Sequence, residues 1–440
     1  YWTDCDNGTA PAGDVNPVNL AGASTLRWRN VQGSTAQYAI ELIPQNGTAQ
    51  CLPGASAPST MVDAVSGTMQ IRSTGRYNGV RRTVVATLRR SGFLDFLYFT
   101  NFETQDPQVT GSSLFCAALR RAGRDPSCST IVFGTDDAVN GPFHTNDDFI
   151  ACGTPTFGRT TKDLVEVSAP SPGYTAGCGG SAAPDFKSPL QFNAKILDLP
   201  ASNGQLLNVA TAAGLVYSGT TQITLKSNGK MDVTNGGTTT VDVNYPANGV
   251  IYVNTGTGSN CLPAYASPQT YSEPSCTANV YVKGTYQKSL TIGSARDIIV
   301  TGNLTKSGNV MLGLIPDGFV RVYHPVSGTG SGCTNAASGP FGAAPGTSGL
   351  QIDAAILAIK HSFIVDNYDC GANLGQLTVT GAIAQNYRGP VGLVSGQGYV
   401  KNYTYDDRFR VANPPYFLDP VQSQWRKIRY AEQVPARQGG

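Results

Sequence analysis

Short alternating runs of apolar and polar residues fill the second half of the chain, and three of them close on a glycine. They read Val280-Tyr281-Val282-Lys283-Gly284, Ile298-Ile299-Val300-Thr301-Gly302 and Leu377-Thr378-Val379-Thr380-Gly381. Gly284 and Gly302 stand 18 residues apart. That period fits one coil of a parallel β-solenoid, in which each unit buries its inner face only by stacking on its neighbours. An antiparallel sandwich is the alternative that the same alternation allows.

Residues 20–100 read as an antiparallel meander with strands at 26–29, 37–43, 68–73 and 80–88. Asn78-Gly79 sits between the last two, and a type I′ turn needs positive φ at both of its central positions. The aromatic run Phe93-Leu94-Asp95-Phe96-Leu97-Tyr98-Phe99 is expected to pack under this sheet; an exposed partner-binding patch is its other reading. Two helices are predicted. One covers 113–123, capped by Ser113 and closed by Gly123; the other runs from Ser202 to Gly214 with Leu206, Leu207, Val209 and Ala210 as its apolar face. Short glycine-punctuated strands begin after Cys128 and return from Gln222 to about Lys401. Ile352–Ile359 is too apolar for a half-exposed edge and reads as a buried rung. Val421, Trp425 and Ile428 fall at helical spacing after Asp419-Pro420, predicting a terminal helix that covers the open end of the solenoid.

The expected fold is therefore mainly β. An antiparallel domain over residues 1–110 precedes a right-handed parallel β-solenoid over 111–440 with short helical insertions. A helix-containing insertion lies at about 186–220 and a C-terminal cap at about 414–440.

Composition narrows the class. Charged residues make up 14% of the 440-residue chain, against roughly 25% in an average soluble protein, while 40% is hydrophobic. That combination is not disorder. A formal charge of +2 gives no electrostatic case for nucleic acid, and Arg81-Arg82, Arg89-Arg90 and Arg120-Arg121 read as solvated strand faces. Ten cysteines fall into local pairs: Cys5 with Cys51, Cys116 with Cys128, Cys152 with Cys178, Cys261 with Cys276, and Cys333 with Cys370. No pair has zinc-knuckle spacing, so disulfides in an oxidising, extracytoplasmic compartment are expected. No apolar run reaches membrane-spanning length, and the start at Tyr1-Trp2-Thr3-Asp4-Cys5 reads as that of a trimmed chain.

Candidate chemistry is sparse. Asp366 and Asp369, together with Asp406 and Asp407, are two carboxylate clusters that adjacent coils could bring together as a polar network, a calcium site or a catalytic pair. Otherwise no cofactor or metal is expected. His144, three residues before Asp147 and Asp148, is an incomplete site; Asn146 and Asp147 are expected to bond the turn backbone instead. His324 and His361 are expected to be structural. No Gly-x-Ser-x-Gly elbow is present.

Several strings in order along the chain resemble a family of large exported proteins encoded beside type IV pilus machinery in actinobacteria and related Gram-positive-type bacteria. They are Arg76-Tyr77-Asn78-Gly79-Val80-Arg81-Arg82-Thr83-Val84, Phe93–Thr100, Gly141-Pro142-Phe143-His144-Thr145-Asn146-Asp147, Ile352–Leu357 with His361-Ser362-Phe363, and Pro414-Pro415-Tyr416-Phe417-Leu418. The resemblance implies a minor-pilin-like or pilus-tip ectodomain, its meander pilin-like, located at the cell surface or outside the cell. Its implied partners are pilin subunits or other proteins of the apparatus, and a host-cell or environmental glycan or protein. It would meet the membrane only through an N-terminal helix that this sequence does not contain. No catalytic residue carries over. A structural or adhesive surface protein is the first functional expectation, and a β-solenoid polysaccharide lyase or hydrolase the second.

Overall fold

The computed structural model describes residues 19–20, 25–43, 62–63, 67–110, 114–180, 182–393, 395–422 and 425–438. Cys5 and Cys51 lie outside the described residues. The chain divides into two compact units: residues 1–91, 410–413 and 423–440 form one, and residues 92–409 and 414–422 the other.

The first unit is a mainly antiparallel sheet with strand order Asn19–Leu20, Gln37–Ile43, Thr68–Tyr77, Val80–Arg90, Trp425–Gln433; Arg29–Asn30 pairs beside Gln37–Ile43. The Asn78-Gly79 turn forms as the sequence requires, with φ of 47° and 77°. Leu42 and Met69 are buried against Ile71, Leu88 and Trp425. The predicted terminal helix is not formed. Trp425–Gln433 is a strand running antiparallel to Val80–Arg90, whose edge its backbone pairs. Only residues 414–422 join the second unit, where Phe417 and Leu418 are buried.

The boundary between the units falls after Ser91, not at 110. The aromatic run is the reason. Phe93–Asp95 forms a 3-10 turn, and Tyr98–Phe102 becomes a strand of the second unit, with Tyr98 in register with Ile383 and Phe143. Phe93, Leu94, Leu97 and Phe99 are buried, so the run belongs to the second unit and forms no exposed patch.

The second unit is built on a large mixed sheet dominated by parallel ladders. In one ladder Val280, Ile298, Val320 and Phe363 stand in register on successive strands, the first two separated by the 18-residue period. A second ladder aligns Leu215, Ile251, Ile292, Leu314, Ile356, Ile383, Tyr98, Phe143 and Val165. From Ile251 to Val165 every member is buried. Burial of each such side chain is worth about 1.5–3 kcal/mol.

The order of that column departs from a single continuous run. The chain enters the stack in its middle at Tyr98, proceeds away to Val165, then restarts at Leu215 and returns to Ile383. Joining the two runs between Asn373–Tyr387 and Tyr98–Phe102 removes an unpaired strand edge from each. The glycines of the repeating motif are not strand ends either. Val280–Tyr286, Ile298–Lys306 and Asn373–Tyr387 all continue past them. Gly284 has φ of +113° at a register shift, and any side chain on Gly381 would collide with the carbonyl of Ala354.

The second predicted helix forms as Gly204–Ala213, burying Leu206 and Ala210. The first does not. Residues 114–123 hold two short 3-10 turns, because the Arg120 and Arg121 N–H groups donate to the Asp147 and Asp148 carboxylates and a helix this short is marginal alone. No helix among the described residues is long and apolar enough to cross a membrane.

Four disulfides join Cys116–Cys128, Cys152–Cys178, Cys261–Cys276 and Cys333–Cys370, with Cα separations of 5.2–5.6 Å. Peptide mapping of unreduced protein should return these four linkages. Replacing Cys261 and Cys276 by alanine should cost about 3 kcal/mol, the loop-closure value for a 15-residue loop. An unchanged denaturation midpoint would contradict that.

Candidate functional site

Val320–Val322 contains the one residue that breaks its apolar run. Val320 and Val322 alternate with Arg321, which stands in register with Ile299 and Ile364 and is 2% exposed. A buried guanidinium needs carboxylates, and the stacking supplies one from each neighbouring rung. Asp297 immediately precedes Ile298–Lys306, and Asp366 immediately follows Phe363–Val365. Arg321 Nε donates to Asp366 Oδ1 at 2.7 Å and Nη1 donates to Asp297 Oδ2 at 3.0 Å. Glu273 lies 3.7 Å from Nη1. Burial works against the guanidinium charge, but Asp366 and Asp297 outweigh it and hold the Arg321 pKa well above its ordinary value.

Two phenols bond the other oxygens of these carboxylates. The Tyr271 hydroxyl donates to Asp366 Oδ2 and the Tyr265 hydroxyl to Asp297 Oδ1, each at 2.9 Å. Burial pushes both phenols well above their usual pKa, so they remain donors. The Tyr265 ring stands edge-on to Phe319, with ring centroids 4.8 Å apart and the Arg296 guanidinium 4.1 Å from its centre. Asn367, with φ of 47°, accepts from the Gln269 N–H at 2.8 Å and donates to the His324 carbonyl at 2.9 Å. The loop of residues 264–270 is thereby tied to the strand end. Cys261–Cys276 and Cys333–Cys370 close the flanking loops.

Between these loops and the strand ends lies a cavity of about 390 Å³, lined by Tyr265, Gln269, Phe319, Arg321, Asp366 and Tyr368 among others. Asp369 is exposed and also contributes to its wall. The structure thus brings Asp366 and Asp369 to one cavity but gives Asp406 and Asp407 other partners. Asp406 is held by Arg408, 2.6 Å from Nη2, and by Lys306 at 3.2 Å; Asp407 pairs with Arg159 at 2.8 Å. Burial opposes ionisation of Asp406, yet Arg408 and Lys306 hold its pKa below the usual carboxylate range. Among the described residues no three His, Cys, Asp or Glu side chains converge as a metal-ligand set.

The other sequence candidates have scaffold positions. His144 is buried, bonding Glu166 at 2.7 Å and Asn146 at 3.0 Å. Asp147 is ion-paired with Arg124 and accepts from the backbone N–H groups of Glu103, Arg120 and Asp148. His324 bonds the Asp366 carbonyl and Asn335, and His361 bonds Asp106. Sequence reasoning missed Arg321, Asp297, Tyr265 and Gln269. A signal for the first was present in Phe319-Val320-Arg321-Val322-Tyr323, where a lone cation interrupts an apolar strand.

With both oxygens of Asp366 bonded, the cavity presents no free buried carboxylate base; it presents donors, acceptors and aromatic walls. No family model matches the chain, and no curated protein matches it. Among solved structures it is similar to the competence-associated pilin ComZ from Thermus thermophilus, with 10% identity over 95% of this chain and 88% of that chain and a TM-score of 0.33.

Arg321→Met should lower stability by about 3–5 kcal/mol, because it leaves Asp297 and Asp366 buried without their cation. Asp407→Asn, at a side chain 58% exposed, should change stability by less than about 0.5 kcal/mol. Chemical denaturation of both variants checks this. Equal midpoints for Arg321→Met and the parent would contradict the role assigned to the pair.

Proposed function

We propose that this chain is a structural or adhesive ectodomain of a type IV pilus-like surface apparatus, acting as a minor or tip subunit rather than as a catalyst. The observation that carries the reading is the long parallel stack of short, weakly charged rungs whose loops are pinned by disulfides. Such a stack is a scaffold for display, and disulfides persist in oxidising compartments outside the cytoplasm. In this reading the stack is a right-handed β-solenoid, the handedness favoured by parallel crossovers of twisted strands. The partners are pilin subunits, and the pilus-family resemblance of the sequence strings supports the same assignment. Asp366 bonded on both oxygens, and Asp406 held by two cations, argue against the lyase or hydrolase alternative.

The test is fractionation of the bacterium that encodes the chain. The protein should be recovered from the outer surface and co-purify with sheared pilus filaments, and antibody labelling should mark filaments or their tips. Recovery in the cytoplasm would contradict the proposal. So would polysaccharide cleavage by the purified chain that is abolished by Asp366→Asn with Asp406→Asn.

A further inference from the structure

One inward column of the stack changes from apolar to charged. Asn373–Tyr387 lies between Leu350–Ala358 and Gly398–Tyr405, and the register aligns Leu350, Leu377 and Lys401. Gly398–Tyr405 pairs in turn with Ala138–Asn140, placing Tyr403 beside Val139. Lys401 stands two residues before Tyr403 and Asp137 two before Val139, so the same register sets Lys401 beside Asp137. Leu350, Leu377, Tyr403 and Val139 are all buried, and residues two apart on a strand share a face, so both charged side chains lie on the core side. Lys401 Nζ donates to Asp137 Oδ1 at 2.9 Å, and the Gly134 N–H donates to Asp137 Oδ2 at 2.9 Å.

The surroundings differ from those of a surface ion pair. Both residues line a cavity of about 20 Å³ with Tyr98, Phe133, Phe363 and Tyr403, room for a single water. Burial lowers the Lys401 pKa from its ordinary value against the pull of Asp137, and the charge of Arg388 acts in the same direction as burial. Burial opposes ionisation of Asp137, yet Lys401 and Arg388 hold its pKa below the usual carboxylate range. The resting pair is therefore ionic. One proton moved from Nζ to Oδ1 converts it to an amine and a carboxylic acid with no net change in charge. Lys226 is the contrast: it meets Asp232 and Asp242 in partly exposed pairs, and its pKa is raised.

We propose that Lys401 and Asp137 condense into an intramolecular isopeptide bond, a covalent tie between neighbouring strands whose linked residues are 264 apart in sequence. Lys401 Nζ gives one proton to Asp137 Oδ1 and attacks Asp137 Cγ. The C–N bond forms, the C–Oδ1 bond breaks, and Oδ1 leaves as water with the two protons that the nitrogen has given up; nothing is oxidised or reduced. Negative charge developing on Oδ2 meets the Gly134 N–H. Fixed contact between the groups makes the condensation unimolecular, and well-oriented pairs reach effective concentrations on the order of 10⁵–10⁸ M. The adjoining cavity receives the water, and the 27% and 21% of the Lys401 and Asp137 side chains left exposed give it a way out.

Mass spectrometry of the whole chain, oxidised and denatured, reads the bond directly. The parent should be lighter than its disulfide-bonded sequence by one water. After reduction and trypsin, residues 125–159 and 389–408 should appear as one branched peptide, uncut after Lys401. Lys401→Arg keeps a cation beside Asp137 but offers no amine to acylate, and Asp137→Ala removes the carboxyl. Each variant should have its full mass and yield no branched peptide. A parent of full mass overturns the proposal. So does a water deficit that persists in Lys401→Arg, because that water has been lost elsewhere in the chain. The branched peptide is read from the parent alone, so it decides the matter even where a variant fails to fold.

Discussion

Parallel register between successive short strands is the constraint on which the second unit depends. A strand such as Val320–Val322 is three residues long and cannot bury anything alone. It becomes stable because Ile298–Lys306 lies on one side and Phe363–Val365 on the other, each placing a like side chain in the same column. Loss of register by one residue would turn Val320 and Val322 out of that column and move Arg321 into it. The positions of the loops, the disulfides and the cavity follow from this stacking.

The same register explains how a cation is tolerated inside an apolar stack. Arg321 receives Asp297 from the strand start of one rung and Asp366 from the strand end of the next, so neither carboxylate is local in sequence to it. Buried ion pairs are not by themselves a source of large stability. What this one supplies is geometry: it fixes Tyr265 and Tyr271 through their hydroxyls, and Asn367 then holds the loop that carries Gln269. In the cavity wall Tyr265, Arg321, Asp366 and Asn367 are each held by hydrogen bonds.

Much of the local structure was legible in the sequence. Alternation located the strands, Asn78-Gly79 located a hairpin, and the spacing of cysteines anticipated all four disulfides among the described residues. Leu206 and Ala210 marked the face of Gly204–Ala213 correctly. Long-range order was not legible. Nothing local to Tyr98 says that its neighbour in the stack is Ile383, and nothing local to Trp425–Gln433 says that its partner is the edge of Val80–Arg90. Residues 114–123 failed as a helix because Asp147 and Asp148, distant in sequence, capture their backbone. Asp366 and Asp369 were flagged for their carboxylates, but the guanidinium that fixes Asp366 lies on another rung.

The junction of Tyr98–Phe102 with Asn373–Tyr387 makes one stack of two separate runs, and hydrogen exchange under increasing denaturant tests it most directly. The Ile383 amide bonds the Leu97 carbonyl at 2.7 Å across the junction, and the Ile298 and Val320 amides bond the Phe319 and Ser362 carbonyls within the returning run. If the two runs are one stack, these amides and those of Phe143–Thr145 open together with a common free energy and denaturant slope. Exchange of residues 98–167 at a distinctly lower opening free energy than residues 250–387 would mean that the runs fold as separate bodies, and would contradict the account.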